Sequence, residues 1–416
     1  MKKILTIALA LVMVFTLVAC AGDNNNNTNG ANPDVGSNGD DPNANTNNST
    51  SSENNNDTNG NNNTAGGENN NQNGAEPPSQ TDGFELALIT DLGTIDDKSF
   101  NQGSWEGLML YADEHNITRN YYKPADQGDD AYLNAIDLAV QGGAKVIVTP
   151  GYLFEIPIYY AQDIYPDVKF ILLDGSPNDG DWSNGEPNAK VGDNTVAVFY
   201  AEEQSGFLAG YAAVMDGYRK LGFMGGMAVP AVIRFGHGYV QGAEVAAQEL
   251  GLPDKSITIN YSYTGVFAPQ PEIQTQAAAW YNDGVEVIFS CGGGICFSIF
   301  PAAENSGNVV IGVDGDQSGE SPTVITSAMK LLTKSVYDKI SDYYNGEFPG
   351  GQTLVYSAEN LGVGLPMGTS KFKTFSQAQY DAVYAKLQNG SIVVNNDIEI
   401  APTALPAKAV VVTYLN

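Results

Sequence analysis

From Phe84 onward, short runs of apolar, β-branched residues alternate with helix-length amphipathic segments, and that alternation leaves few folds open. Residues 84–90, 120–124, 145–149 and 168–174 read as strands, with helices over 100–115, 131–141 and 156–165 between them. After a Gly/Pro/Asn loop around 176–190 the pattern resumes, with strands at 196–199, 221–225, 257–262, 285–290 and 309–313 and helices at 206–215, 239–250 and 273–281. Buried strands separated by helices predict an α/β chain built on doubly wound parallel sheets. The 335 residues from 82 to 416 exceed the roughly 250–300 at which a single core stops growing, so two lobes are expected. We place one over 82–216 and the other over 217–318. Residues 319–416, with a strand at 324–327 and helices at 335–344 and near 380–387, then supply crossovers that complete both.

The N-terminus follows other rules. Lys2 and Lys3 precede an apolar run that ends at Cys20, which reads as a secretory signal over residues 1–19. The run is shorter than the roughly 20 apolar residues that a bilayer span needs. Leu17-Val18-Ala19-Cys20 resembles the bacterial lipobox, so Cys20 is expected to carry the acyl chains that hold the protein on the extracytoplasmic face of the cell membrane. From 21 to 81 the chain is dominated by Asn and offers almost nothing to bury; a disordered tether is expected there.

Charge and cysteine usage exclude several functions. From residue 82 on, 17 basic residues face 40 acidic ones, a formal −23, which repels nucleic acid and anionic surfaces. Cys291 and Cys296 flank Gly-Gly-Gly-Ile and read equally as a disulfide or as two buried thiols. With His115 and His237 the only histidines, neither a zinc site nor a Cys/His nucleophile has support, and no pair of acids suggests acid–base catalysis. We expect no cofactor, no metal and no enzymatic activity.

Ligands of open parallel sheets bind beyond the carboxyl ends of the strands. Polar residues and glycines recur at those ends: Asp91, Gly151 and Asp174 in the first half, then Gly225-Gly226, Gly292-Gly293-Gly294, Asp314 and Asp316 in the second. Two such rims facing each other across a hinge would form a cleft that closes on a solute.

Thr90-Asp91-Leu92-Gly93-Thr94-Ile95-Asp96-Asp97-Lys98-Ser99-Phe100-Asn101-Gln102 resembles the opening motif of the basic membrane protein family of lipoproteins, the purine-nucleoside-receptor type of solute-binding protein. Ser205-Gly206-Phe207-Leu208-Ala209-Gly210-Tyr211, Leu221-Gly222-Phe223-Met224-Gly225-Gly226-Met227, Ile311-Gly312-Val313-Asp314-Gly315-Asp316-Gln317 and Thr326-Ser327-Ala328-Met329-Lys330 match further motifs in the family's order. The resemblance implies a two-lobed type I periplasmic-binding-protein fold. It also implies a monomer that passes a purine nucleoside to an ABC transporter permease. Residue by residue, it implies that Phe100 and Phe235 sandwich the base, while Asp91, Asn101 and Asp174 meet its edge. Asp314 would accept from the ribose hydroxyls, Lys330 would donate to the sugar, and Gly292 and Gly293 would let backbone approach it. Asp96, Asp97 and Ser99 are expected to build the turn that caps the helix. Residues 263–271 depart from the family pattern, which leaves the second lobe's wall open. A sugar or furanosyl ligand on the same fold is the alternative reading; a nucleoside hydrolase or an adhesin fits the residues less well.

Overall fold

The computed structural model describes residues 83–415, so the expectations for the signal, Cys20 and the tether lie outside the described residues. The first lobe begins with β1 (Leu86–Ile89), α1 (Phe100–His115), β2 (Arg119–Tyr122), α2 (Asp129–Gln141), β3 (Val146–Pro150), α3 (Glu155–Ile164), β4 (Lys169–Leu173) and β5 (Thr195–Tyr200). The strands pair in parallel in the order β2-β1-β3-β4-β5. β1 shows why both faces are covered. Leu86 and Leu88 pack with Leu108 and Ala112 of α1, whereas Ala87 and Ile89 pack on the opposite side with Ile136 and Ala139 of α2.

The second lobe repeats this plan. Helix α4 (Glu202–Met215) leads into β6 (Lys220–Gly225), α5 (Pro230–Glu249), β7 (Ile257–Tyr263), α6 (Pro271–Asn282), β8 (Val287–Cys291), α7 (Cys296–Ser306), β9 (Val309–Asp314) and β10 (Val324–Lys330). The sheet order is β7-β6-β8-β9-β10, the same winding as the first. The chain then returns to the first lobe as α8 (Leu332–Tyr344), packed on α1, and β11 (Gln352–Tyr356), which extends the sheet beside β5. It crosses once more into β12 (Val363–Gly364), antiparallel to β10, α9 (Gln377–Gln388) and β13 (Val410–Tyr414) beside β7.

Three crossings therefore join the lobes, at Ala201, at Leu331 and over residues 357–362, and hydrogen bonds lace them together. Ala201 N donates to Tyr356 O at 2.9 Å and Leu331 N to Gly362 O at 3.0 Å. Helix α4 packs on α5 and β10, so the first crossing precedes it at Ala201 and does not follow it at residue 216, where the sequence reading set the boundary. Helices α4 and α5 touch backbone to backbone. A Cβ at Gly206 or Gly210 would lie 2.0 Å from the carbonyl oxygen of Phe235 or Tyr239, and one at Gly238 or Gly242 would lie 2.0 or 1.9 Å from that of Glu203 or Phe207.

Other departures from the sequence reading have local causes. Helix α5 starts at Pro230, where a missing N–H is tolerated, nine residues before the expected start. Helix α7 has no bounds in the sequence reading beyond a strand-to-helix passage at Cys291–Cys296, because Pro301 interrupts its hydrogen-bond ladder.

Candidate functional site

Strand order reverses between β1 and β3 and between β6 and β8, and the carboxyl ends beside these switch points line one cavity. The lining side chains fill most of it and leave about 90 Å³ of free space. All nine ligand-site residues singled out from the sequence line it: Asp91, Phe100, Asn101, Asp174, Phe235, Gly292, Gly293, Asp314 and Lys330. The repeated winding gives the site an internal symmetry. Asp174 closes β4 and Asp314 closes β9, the fourth strand of each lobe, and both have left-handed backbones, with φ of 55° and 64°. Aspartate tolerates that conformation better than most residues.

On the first lobe, Asp97 builds the entry to α1. Its carboxylate accepts from the backbone N–H groups of Ser99, Asn101 and Gln102 at 2.9–3.1 Å, a capping role that Ser99 itself does not take. Asn101 then ties Asp97 to Asp91: its Nδ2 donates to Asp97 Oδ2 at 2.9 Å and to Asp91 Oδ1 at 2.8 Å. Asp91 Oδ1 also accepts from Gly93 N, which leaves Oδ2 for the cavity. Asn101 thus orients an acid.

Lys330 stands at the centre. Its ammonium is buried, donates to Asp174, and has Glu202 at 3.4 Å and Asp314 at 3.8 Å. Three rings surround it, with centroids 4.6 Å away at Phe100, 5.4 Å at Phe235 and 5.5 Å at Tyr200. Lys330 and Asp174, which the family resemblance assigns to opposite ends of the ligand, are therefore paired directly. Asp174 Oδ1 is buried without a hydrogen-bond partner. Asp314 accepts from Ser99 Oγ of the other lobe.

The network is completed by Arg234, which the sequence suggests only as a nearby cation, and by Glu202, which sequence reasoning leaves out of the site. Glu202 is fully buried and accepts from Arg234 Nε at 2.6 Å. Burial opposes its charge, but Lys330 and Arg234 hold its pKa below the ordinary value. Burial likewise opposes charge on Lys330, and Asp174, Glu202 and Asp314 together reverse that and raise its pKa. Asp174 is pushed up to about 7, by burial first and by Glu202, against the pull of Lys330. Burial also raises Asp91 and Asp314. With more acids than cations around it, the cleft is rich in acceptors.

The segment that departs from the family pattern contributes Phe267 to the cavity wall. The ring lies so close to Gly226 that a Cβ there would sit 2.4 Å from it. Cys291 and Cys296 are buried free thiols, which settles the choice left open by their spacing.

The Bmp family, described as "ABC transporter substrate-binding protein PnrA-like", matches residues 84–401. The chain is 29% identical over 344 residues to the "ABC transporter nucleoside-binding protein BmpA" of Lactococcus lactis, covering 76% of this chain and 91% of that one. It is 30% identical over 317 residues to "Basic membrane protein A1" of Borrelia garinii, covering 74% and 88%. Among solved structures, an ABC transporter solute-binding protein from Aeropyrum pernix superposes with a TM-score of 0.65 at 22% identity, over 76% of this chain and 94% of that one. One from Conexibacter woesei gives 0.60 at 21% identity, over 75% and 99%. At these identities the structures speak for the fold alone, a two-lobed α/β solute-binding architecture of the type I periplasmic class.

Proposed function

The chain belongs to the Bmp family of PnrA-like ABC transporter substrate-binding proteins, and from that premise we propose that its cleft captures a purine nucleoside for delivery to a membrane permease. As a member of that family it is an extracytoplasmic binding component, not an enzyme. The observation that carries the ligand assignment is the pair of rings around Lys330. Centroids 4.6 and 5.4 Å from one ammonium lie at most about 10 Å apart, and a planar base in contact with both needs roughly 7 Å, twice the van der Waals separation. Stacking contributes about 1–3 kcal/mol per base.

In this reading Lys330 holds the place of the base. An entering purine displaces the ammonium from between the rings toward Asp314, where it donates to the ribose while Asp314 accepts from the hydroxyls. Asp174, released from Lys330, and Asp91 then accept N–H groups of the base. A 5′-phosphate would meet these acids with only Lys330 and Arg234 to offset them, and both are already paired.

Calorimetry with nucleosides, free bases, sugars and nucleotides tests the assignment. Nucleosides should bind more tightly than the other three classes. Phe100→Ala should weaken nucleoside and base alike, and Asp314→Ala should weaken the nucleoside selectively, by about 1.5–3 kcal/mol for lost charged hydrogen bonds. A monophosphate or a sugar binding as tightly as the nucleoside would overturn it. The membrane anchor is tested separately. Cys20→Ser should move the protein from the membrane fraction to the soluble one, and retention of the variant would rule the acyl anchor out.

A further inference from the structure

The motif that brings Asp314 to the cavity ends in Gln317, which does not line it. Gln317 is only 1% exposed, and both ends of its amide are engaged. Oε1 accepts from Val313 N at 3.2 Å within its own lobe, and Nε2 donates to the backbone carbonyl of Lys98, in the other lobe, at 2.8 Å. The second lobe also anchors the backbone of this residue: Gln317 N donates to Ser327 Oγ at 3.0 Å. Gly312 leaves it room, since a Cβ there would lie 2.4 Å from Gln317 Oε1. The partner is specialised too. Lys98 has a φ of 58°, an uncommon conformation for lysine, and its ammonium lies 3.5 Å from Glu320 across the cleft. The turn before α1 is thus gripped by the loop after β9 at residues that do not line the cavity. In an opened cleft the Nε2 donor would have only water.

We propose that Gln317 is a positioning residue for closure: with Lys98 and Glu320 it forms a clasp between the lobes that sets the population of the closed form, and so scales the affinity for every ligand by one common factor. Apparent affinity falls in proportion to the fraction of binding-competent protein. The proposal rests on the reading of this cleft as one that closes on a ligand.

Gln317→Glu keeps an acceptor for Val313 N and sets an oxygen against the Lys98 carbonyl. Inosine and adenosine should each bind about tenfold more weakly and dissociate faster, with the ratio of their affinities unchanged. An unchanged affinity, or a loss confined to one of the two, overturns the proposal. Because a buried carboxylate can prevent folding, Lys98→Glu and Glu320→Lys probe the same clasp near the surface. Each alone should weaken inosine binding about two- to fivefold at low salt and speed hydrogen exchange over residues 98–103 and 315–320 in the ligand-free full chain. The double swap should restore both, and failure of the swap to do so overturns the clasp. Should neither nucleoside bind the unaltered protein, the ligand assignment fails, and the exchange data alone decide between clasp and no clasp.

Discussion

One ammonium shared by three carboxylates gives the cleft a proton balance of its own. Asp174 is pushed up to about 7, chiefly by burial; so is Glu203, while Asp97 rises to about 6. An acid whose pKa is raised by folding binds protons more tightly folded than unfolded, so its contribution to stability grows as pH falls from the folded value toward the unfolded one. We therefore expect the ligand-free protein to melt higher at about pH 5.5 than at about pH 7.5, with His237, whose pKa burial lowers, acting in the opposite sense. Nucleoside affinity should run the other way. In the proposed complex Asp174 accepts only when deprotonated, so binding should weaken below pH 7, and Asp174→Asn should flatten that dependence; a flat profile in the unaltered protein would contradict the assignment. Of the nine cavity-lining residues named from the sequence, Asp91, Asp174, Gly292, Gly293, Asp314 and Lys330 stand at or just beyond strand ends, whereas Phe100, Asn101 and Phe235 lie on helices and came only from the family resemblance. Glu202 was not legible, since an acid in the first turn of a helix looks like an ordinary solvated residue. Its burial arises only when Lys330 and Arg234 are brought to it from other elements.

Helices α4 and α5 carry that charge network, Glu202 on one and Arg234 and Phe235 on the other, and their glycines fix how closely they approach. Gly210→Ala would place a methyl 2.0 Å from the Tyr239 carbonyl oxygen, so the helices must separate. A destabilisation of about 1–3 kcal/mol in denaturant unfolding is expected, together with weaker nucleoside binding as α5 shifts its cleft residues. Full affinity in a folded Gly210→Ala protein would show that the site does not depend on this contact. At this scale the sequence reading succeeded where strands are continuous apolar runs, as in β3 and β8. It missed β11, whose residues are exposed or half-buried at the edge of the sheet and so lack such a run. The glycine contact between α4 and α5 was visible only as a motif, because what each glycine makes room for lies on another helix.

Three laced crossings at one side of two similar lobes form a hinge with few degrees of freedom, and the cleft opposite should close as a unit. Solution scattering of protein stripped of co-purified ligand should show a smaller radius of gyration with saturating inosine; superimposable profiles would rule the closing motion out. The sequence length and strand count implied two lobes, but not which lobe each late element joins. That depends on pairings between residues far apart in the chain, such as Gln352 with Val196. The same pairing bears on how the molecule matures. A chain emerging N-terminus first from an export channel presents β1 to β5 early, yet the first sheet lacks its edge strand, and α1 its partner α8, until Tyr356 has emerged. By then most of the second lobe is already outside. The first lobe therefore cannot finish until most of the second has emerged, the second waits longer still for β12 and β13, and the unfinished intermediate exposes an open sheet edge beside β5, the kind of surface on which chains aggregate or chaperones take hold.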